Sequence, residues 1–128
     1  MIVVDSSALV AIALAEPDAE RFMSALAEAS EAVIPAPTAL ETHLVLSRRF
    51  GRRDEQLAAP LFRHGVIRIV DWTLDHLPIA EAAFSRFGGR PARLNFGDCM
   101  VYAAAKALDA PLLYKGEDFA RTDIRSAL

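Results

Sequence analysis

The sequence predicts an α/β fold, with a mainly parallel central sheet flanked by helices on both faces. Short runs of apolar, β-branched residues alternate with longer segments whose apolar residues recur at helical spacing. Such alternation favours parallel pairing, because each helix carries the chain back to the edge where the previous strand began. The length of 128 residues, 53% of them hydrophobic, is enough for one core. We therefore expect one domain over residues 1–128.

The strands are predicted from short apolar runs that end at an acid, a proline or a turn. Residues 1–5 place apolar residues directly before Asp5, and residues 66–70 alternate as a half-buried strand should. Two further strands are predicted over 31–35 and 111–114, with a short edge strand at 123–124.

The helices are predicted from apolar periodicity together with capping residues at their ends. Ser6 and Ser7 are expected to cap the first helix, Thr38 the third and Asn95 the last. Gly51 is placed to end the third helix and Gly65 the fourth. Helices are predicted over 8–15, 17–29, 38–50, 54–64, 73–87 and 97–107, with a single helical turn at 117–121 and a basic loop at 88–95.

Four acids come from four separate elements at the predicted carboxyl edge of the sheet, where ligands bind in open α/β folds. They are Asp5, Glu41, Asp98 and Asp118. Each alone has a structural explanation: Thr38-x-x-Glu41 fits a capping box, and acids favour helix N-termini. Together they would repel one another unless a cation were present. An all-oxygen set suits Mg²⁺, with Mn²⁺ as the alternative, and there is no histidine–cysteine cluster of zinc spacing.

Three segments resemble the motifs of PIN-domain nucleases. The opening motif, residues 3–9, is Val-Val-Asp-Ser-Ser-Ala-Leu. The third-acid helix corresponds to residues 94–107, and the closing strand with the fourth acid corresponds to residues 112–124. In length and motifs the chain is similar to the VapC-type toxins of bacterial toxin–antitoxin pairs. Residues 50–90 carry no motif of the family.

The resemblance implies a function and a set of site residues. It places the four metal-binding and catalytic acids on Asp5, Glu41, Asp98 and Asp118. It implies an Mg²⁺-dependent endoribonuclease that cleaves structured RNA, forms a homodimer and is blocked by a small antitoxin protein. Glu117 and Asp123 flank Asp118, so the fourth position is open to sharing or reassignment.

Several other residues are candidates for supporting roles. Ser6, Ser7 and Thr122 are interpreted first as helix caps, whose hydroxyls can also orient an acid. The candidates for RNA-phosphate contacts are Arg90, Arg93 and Lys115. The arginine cluster at 48–53 is interpreted as a solvated helix end. Trp72, Phe84 and Phe87 are interpreted as core or dimer interface.

Composition bears on location and partners. The lone Cys99 suits a reducing compartment, and no leader or membrane-length apolar run is present, so we expect a cytoplasmic protein that does not bind membranes. The net charge is −3. Without the four proposed site carboxylates the remaining surface is mildly basic, so the acidic total does not exclude RNA.

Three other functions are weighed against this hypothesis. A phosphorylation-receiver domain could use Asp71 as phosphoacceptor and Lys115 as its late lysine, but its adjacent acid pair is missing because Ser6 follows Asp5. A haloacid-dehalogenase-like phosphatase needs a second Asp where Ser7 stands. A PIN fold that binds RNA or a partner without cleavage is the third, and the presence of all four acids argues against it.

Overall fold

The computed structural model describes residues Met1–Leu128 and contains one four-stranded sheet. The strands are β1 (Ile2–Val4), β2 (Ala32–Pro35), β3 (Arg68–Val70) and β4 (Leu112–Leu113). Their order across the sheet is β3-β2-β1-β4, and every neighbouring pair is parallel. The predicted α/β class and parallel sheet are therefore confirmed.

Five α-helices and three 3₁₀ turns connect and follow the strands. The helices are α1 (Ser6–Ala13), α2 (Ala19–Glu28), α3 (Ala36–Phe50), α4 (Leu77–Phe87) and α5 (Phe96–Ala107). The 3₁₀ turns are Ala59–Gly65, Leu74–His76 and Phe119–Arg121. No helix combines the length and the apolar character that a membrane crossing requires.

Helices cover both faces of the sheet because successive strand residues point to opposite sides. On one face, Val3, Val33 and Leu112 pack with α4 and α5. On the other, Val4, Ile34 and Leu113 pack with α1 and α2. Helix α3 packs against both α1 and α5, so it links the two layers at one end of the sheet.

The strand order creates a switch point at β1. From β1 the chain moves through β2 to β3 on one side, and β4 then returns to the other side of β1. The carboxyl end of β1 is therefore flanked by those of β2 and β4. This is the crevice in which open α/β sheets bind ligands.

The predicted cap of α3 is wrong. The helix begins at Ala36 with Pro35 as its N-cap, and Thr38 lies inside the first turn, where its side chain is fully buried. Pro37 suits this start, because the first turn has no intrahelical partners for its N–H groups and proline lacks one. The capping box between Thr38 and Glu41 does not form, and Glu41 is free for other contacts.

The predicted caps of α1 are also shifted. Ser6 and Ser7 are the first two helical residues, and Asp5 is the N-cap, whose carboxylate accepts a hydrogen bond from the backbone N–H of Ser7. Aspartate caps helices as well as serine does, and it stands one residue earlier.

Two predicted helices are broken by prolines. Residues 54–64 do not form an α-helix: only the 3₁₀ turn Ala59–Gly65 is present, and Arg63 and His64 interrupt it with non-helical backbone angles. Pro60 would stand in the interior of an α-helix and would remove one of its hydrogen bonds. The helix predicted over 73–87 is split into the turn Leu74–His76 and α4, with Pro78 in the first turn of α4.

The last edge strand lies further along the chain than predicted. Residues 123–124 form no strand, and the sheet gains only a single parallel bridge between Leu112 and Ser126. The hydroxyl of Thr122 accepts a hydrogen bond from Ile124 N–H, which holds this stretch in a turn. The single helical turn predicted at 117–121 is present as the shorter 3₁₀ turn Phe119–Arg121.

Candidate active site

Asp5 is a buried carboxylate at the end of the central strand. Its Oδ2 accepts hydrogen bonds from Ser7 N at 3.1 Å and from Ser7 Oγ at 2.5 Å. Its Oδ1 is buried and has no hydrogen-bond partner. Burial raises the pKa of Asp5 to about 6; the hydrogen bonds from Ser7 oppose that rise, and the charges of Glu41 and Asp98 add to it. An oxygen in this position is ready for a ligand that the chain itself does not supply.

Ser7 joins the ends of two strands. Besides donating to Asp5, its Oγ accepts a hydrogen bond from the backbone N–H of Lys115 at 2.9 Å, just after β4. The hydroxyl thereby fixes the side chain of Asp5 relative to the segment that leads to Asp118. Ser7 orients an acid in addition to its place in the first turn of α1.

Glu41 lies between the N-terminal turns of two other helices. Its Oε1 accepts a hydrogen bond from Ser6 Oγ of α1 at 2.8 Å. On its other side is Gly97 of α5, where a Cβ atom would overlap the Glu41 carboxylate. The absence of a side chain at residue 97 lets this carboxylate approach the start of α5.

Asp98 is held by a capping box at the start of α5. The Asp98 carboxylate accepts from Asn95 N at 3.0 Å, and the Asn95 side chain accepts from Asp98 N at 2.9 Å. Burial raises the pKa of Asp98; the hydrogen bond from Asn95 N–H opposes the rise, and the charges of Asp118 and Glu41 add to it. The capping function predicted for Asn95 is confirmed, and it also fixes the carboxylate.

The three candidates for the fourth acid all lie in the segment after β4, but their surroundings differ. Asp118 precedes the turn Phe119–Arg121 without capping it through its side chain, and its charge acts on Asp98. Asp123 instead accepts from Tyr102 Oη at 2.6 Å and pairs with Lys106 at 3.0 Å. Burial raises the pKa of Asp123, but these hydrogen bonds and charges lower it below its usual value. Neither Glu117 nor Asp123 is among the charges that raise the pKa of Asp5 or Asp98.

Thr122 does not contact any of the four acids. Its Oγ1 donates to the carbonyl of Phe119 at 2.7 Å, and it accepts from Ile124 N–H at 3.1 Å. These bonds close the turn that follows Asp118. Its support of the fourth acid is therefore indirect, through the position of that turn.

The four acids are near enough for their charges to act on one another in pairs, but their side chains do not form a ready metal-binding site. The charge of Glu41 raises the pKa values of both Asp5 and Asp98, and that of Asp118 raises the pKa of Asp98. As the side chains stand, no three acidic, histidine or cysteine side chains are close enough to hold an ion. Ser7, Ser6 and Asn95 each hold one carboxylate by hydrogen bonds.

The predicted RNA-contact residues differ in their surroundings. Arg90 and Arg93 lie exposed in the loop before α5, and their side chains form no ion pair. The ammonium group of Lys115 contacts Glu16 and lies 3.2 Å from Asp18. Hydrogen bonds to Glu16 and then Asp18 raise the pKa of Lys115. RNA contact by these three residues stays a prediction.

A groove beside Glu41 is lined in part by Arg48, which the sequence analysis interpreted as part of a solvated helix end. It has a volume of about 910 Å³ and runs between α3, the start of α5 and the chain after β3. Arg48 lines it, two turns of α3 beyond Glu41. The spacing of seven residues on one helix was the available signal for this placement. Nothing in a single sequence predicts the close approach of Gly97 to Glu41.

The fold and the acid cluster can now be compared with known proteins. The family model for the PIN domain matches residues 2–125. The chain belongs to the PIN-domain family. It is also 41% identical over 124 residues to a Mycobacterium tuberculosis protein named Ribonuclease VapC30, with 95% of each chain covered.

Two solved structures share this PIN fold. The crystal structure of Mycobacterium tuberculosis VapC20, described as a sarcin-ricin loop cleaving toxin, has a TM-score of 0.75 at 22% identity and covers 97% of this chain and 96% of that one. VapBC2 from Rickettsia felis, bound to a DNA fragment from its promoter, has a TM-score of 0.73 at 16% identity, with 98% and 96% covered. The family match and the 41% identity to Ribonuclease VapC30 confirm the resemblance to VapC-type PIN toxins, and the predicted acids lie on a PIN scaffold.

Proposed function

We propose that this PIN domain is a divalent-metal-dependent endoribonuclease and the toxin of a toxin–antitoxin pair. The observation that carries the proposal is that Asp5, Glu41, Asp98 and Asp118 act on one another through their charges around the switch point of the sheet: Glu41 and Asp98 raise the pKa of Asp5, and Glu41 and Asp118 raise that of Asp98. Holding several carboxylates near one another is costly in a metal-free chain, and the buried, unpartnered Oδ1 of Asp5 adds to that cost. A cation would offset both effects. The 41% identity to Ribonuclease VapC30 supports RNA as the substrate.

The residues fit a hard divalent cation. The available donors are carboxylate oxygens, one of them buried and unpaired, and Gly97 leaves room for the Glu41 carboxylate at the start of α5. Mg²⁺, with Mn²⁺ as the alternative, prefers such oxygen ligands completed by water. When bound, the ion would lower the pKa of water and polarise a phosphodiester. Asp5 and Asp98 would be its principal ligands, with Glu41 and Asp118 completing the set.

The chain's own side chains prepare this site in separate ways. Ser7 holds Asp5, Ser6 holds Glu41, and Asn95 holds Asp98, so that each carboxylate starts from a defined position. Burial at the sheet edge excludes water from Asp5, which strengthens its interaction with any cation. Asp118, exposed after β4, lies on the solvent side of the cluster.

The rival functions are weaker on this structure. Asp71, the phosphoacceptor of a receiver domain, follows β3, and β2 separates that strand from β1 and Asp5. Lys115 is paired with two acids rather than directed to Asp71. A PIN fold without cleavage would not need four converging carboxylates. Cleavage is therefore the function that we propose.

The same proposal includes partners and location. Another structure with this fold is described as a toxin–antitoxin complex from Klebsiella pneumoniae, which supports a cognate antitoxin for this chain. We propose that the antitoxin blocks the carboxylate site with a basic side chain. We also propose a homodimer formed through an exposed apolar face beside the site. We propose that the protein acts in the cytoplasm. This compartment contains RNA, and its reducing environment suits the single free Cys99.

Metal dependence of RNA cleavage tests the proposed activity. The purified chain, incubated with structured RNA and Mg²⁺, is expected to yield defined fragments on a denaturing gel, to stop on addition of EDTA, and to resume when Mg²⁺ is restored in excess. No side chain in the site can replace the metal in this chemistry. Cleavage that persists unchanged in EDTA, or no cleavage of any RNA with Mg²⁺ or Mn²⁺, would refute the proposal.

A further inference from the structure

A second hollow adjoins the groove beside Glu41, at the C-terminal end of α3. Its volume is about 570 Å³, and Leu44 is the one apolar residue in its lining. We call its basic residues His43, Arg48, Arg52 and Arg53 the α3 basic surface. Residues 43–53 include four arginines and no acid, in a chain whose net charge is −3. A concentrated positive charge on an acidic protein favours a polyanionic ligand.

The α3 basic surface is continuous with the carboxylate site. Leu44 and Arg48 line both hollows, and Glu41 lies on the same side of α3 in the first of them. At 1.5 Å per residue, Arg48 is about 10 Å further along the helix than Glu41. An extended nucleic-acid strand that enters the site would reach Arg48 within a few nucleotides.

The arginines of this surface are largely unpaired. Arg52 forms an ion pair with Asp54 at 2.8 Å, whereas Arg48, Arg49 and Arg53 form none. Charged groups at a helix C-terminus can serve only to complement the helix dipole. That role, however, is filled equally well by Arg49, which belongs to the last turn of α3 but lines neither hollow. The dipole does not explain why Arg48 and Arg53 line one continuous hollow.

We propose that the α3 basic surface binds backbone phosphates of the RNA substrate on one side of the scissile bond. The inference rests on the proposed ribonuclease activity, because it concerns the substrate of the same site. Arginine is suited to the task, since its guanidinium offers several donors to a phosphate. Three arginines and a histidine line this hollow beside a single apolar residue, and this excess of positive charge favours a polyanion such as RNA.

The experiment compares arginines that differ only in their position relative to the hollow. Arg48→Gln and Arg53→Gln are made in an Asp98→Asn background to prevent cleavage, and Arg49→Gln is the matched control. Binding of fluorescein-labelled oligouridylate is measured by anisotropy over a range of salt concentrations. Arg48→Gln and Arg53→Gln should each weaken binding about tenfold at low salt. Each should also reduce the slope of log K against log salt by about 0.7, as for one lost phosphate contact. Arg49→Gln should change neither.

The failure of this inference can be told from the failure of the proposed activity. If the wild-type chain cleaves RNA with Mg²⁺ but all three variants bind oligouridylate alike, the α3 basic surface does not bind the substrate and the activity stands. If Arg48→Gln changes the molar mass in solution but not the salt slope, the surface contacts a protein and the inference is overturned. If the wild type cleaves no RNA, both proposals fail.

Discussion

At the scale of single residues, Asp98 has both a structural and a chemical interpretation. Its carboxylate completes a capping box with Asn95, yet its pKa is raised by burial and by two neighbouring acids. Asp98→Asn separates these roles, because asparagine keeps an oxygen that can accept from Asn95 N–H but carries no charge. In metal-free buffer the variant should be as stable as the wild type or more stable, since a repelled charge has been removed.

The response to metal gives the second half of this prediction. A ligand that binds only the native state stabilises it by RT ln(1 + [L]/Kd). At Mg²⁺ tenfold above Kd the wild type should gain about 1.4 kcal/mol, or about 5 °C in Tm for a domain of this size. Asp98→Asn should show little shift and lose more than about a hundredfold in RNA cleavage. Asp75→Asn, an exposed acid at the start of another helical turn, is the control and should behave as wild type. A variant that melts lower without metal yet still cuts RNA would contradict the role assigned to Asp98.

The raised pKa of Asp5 predicts how the stability of the metal-free protein depends on pH. The pKa of Asp5 in the folded chain is about 6, against 3.8 as the ordinary value, so the native state binds a proton more tightly than the unfolded state. Stability of the metal-free protein should therefore fall as the pH rises from 4 to 6 and change little above that range. The difference corresponds to about 3 kcal/mol.

Urea unfolding at several pH values, without divalent metal, measures this effect. Asp5→Asn keeps an oxygen for the cap of α1 and cannot ionise, so wild type minus variant isolates the contribution of Asp5. The wild type should lose stability relative to the variant across the window from pH 4 to 6. A difference that is flat over that window, or that grows in the opposite direction, would show that Asp5 is not held in a buried, charge-crowded position.

At the scale of the elements, the sequence was most informative where one local signal decided the outcome. The apolar runs before Asp5 and around residues 111–114 predicted β1 and β4, and Asn95 as a candidate cap predicted the start of α5 to within one residue. Asp5, Asp98 and Asp118 could be found because each follows or begins such an element. Glu41 was found through the resemblance to PIN nucleases and through its place after β2.

The errors arose where prolines and tertiary contacts outweighed local patterns. Pro60 and Pro78 broke predicted helices, and Pro35 and Pro37 moved the start of α3 ahead of Thr38. The contacts of Ser6 with Glu41 and of Ser7 with Lys115 join residues that are 35 and 108 positions apart. No local pattern contains such pairs. The same is true of the overlap that a side chain at Gly97 would create with Glu41.

At the scale of the whole molecule, negative and positive charge are segregated to opposite ends of α3. The carboxylates lie at its N-terminal end and the α3 basic surface at its C-terminal end. Between α4 and the start of α5 lies an apolar face, which we define as Leu77, Phe84 and Phe96. Phe84 is 60% exposed and Phe96 is 81% exposed. Two adjoining hollows share Trp72, Phe96 and Met100, so the face is contiguous.

The apolar face is the surface that we expect the proposed homodimer to bury. Large contiguous apolar patches are uncommon on monomers, and a two-fold dimer places the same patch of each copy against the other. Phe96 also lines the groove beside Glu41, so the interface would adjoin the carboxylate site of each copy without covering the α3 basic surface.

The dimer is tested by placing a charge in the centre of that face. Phe84→Asp should halve the molar mass measured by light scattering after size-exclusion chromatography, because two buried aspartates would face an apolar surface across the two-fold axis. The melting temperature of the resulting monomer should stay within a few degrees of that of wild-type monomer obtained by dilution, since Phe84 contributes little to the core. Ser85→Asp adds the same charge one residue further along α4, outside the lining of both hollows, and should leave the dimer intact. An unchanged molar mass for Phe84→Asp, or a monomeric wild type at concentrations well above those of the assay, would show that this face is not a dimer interface.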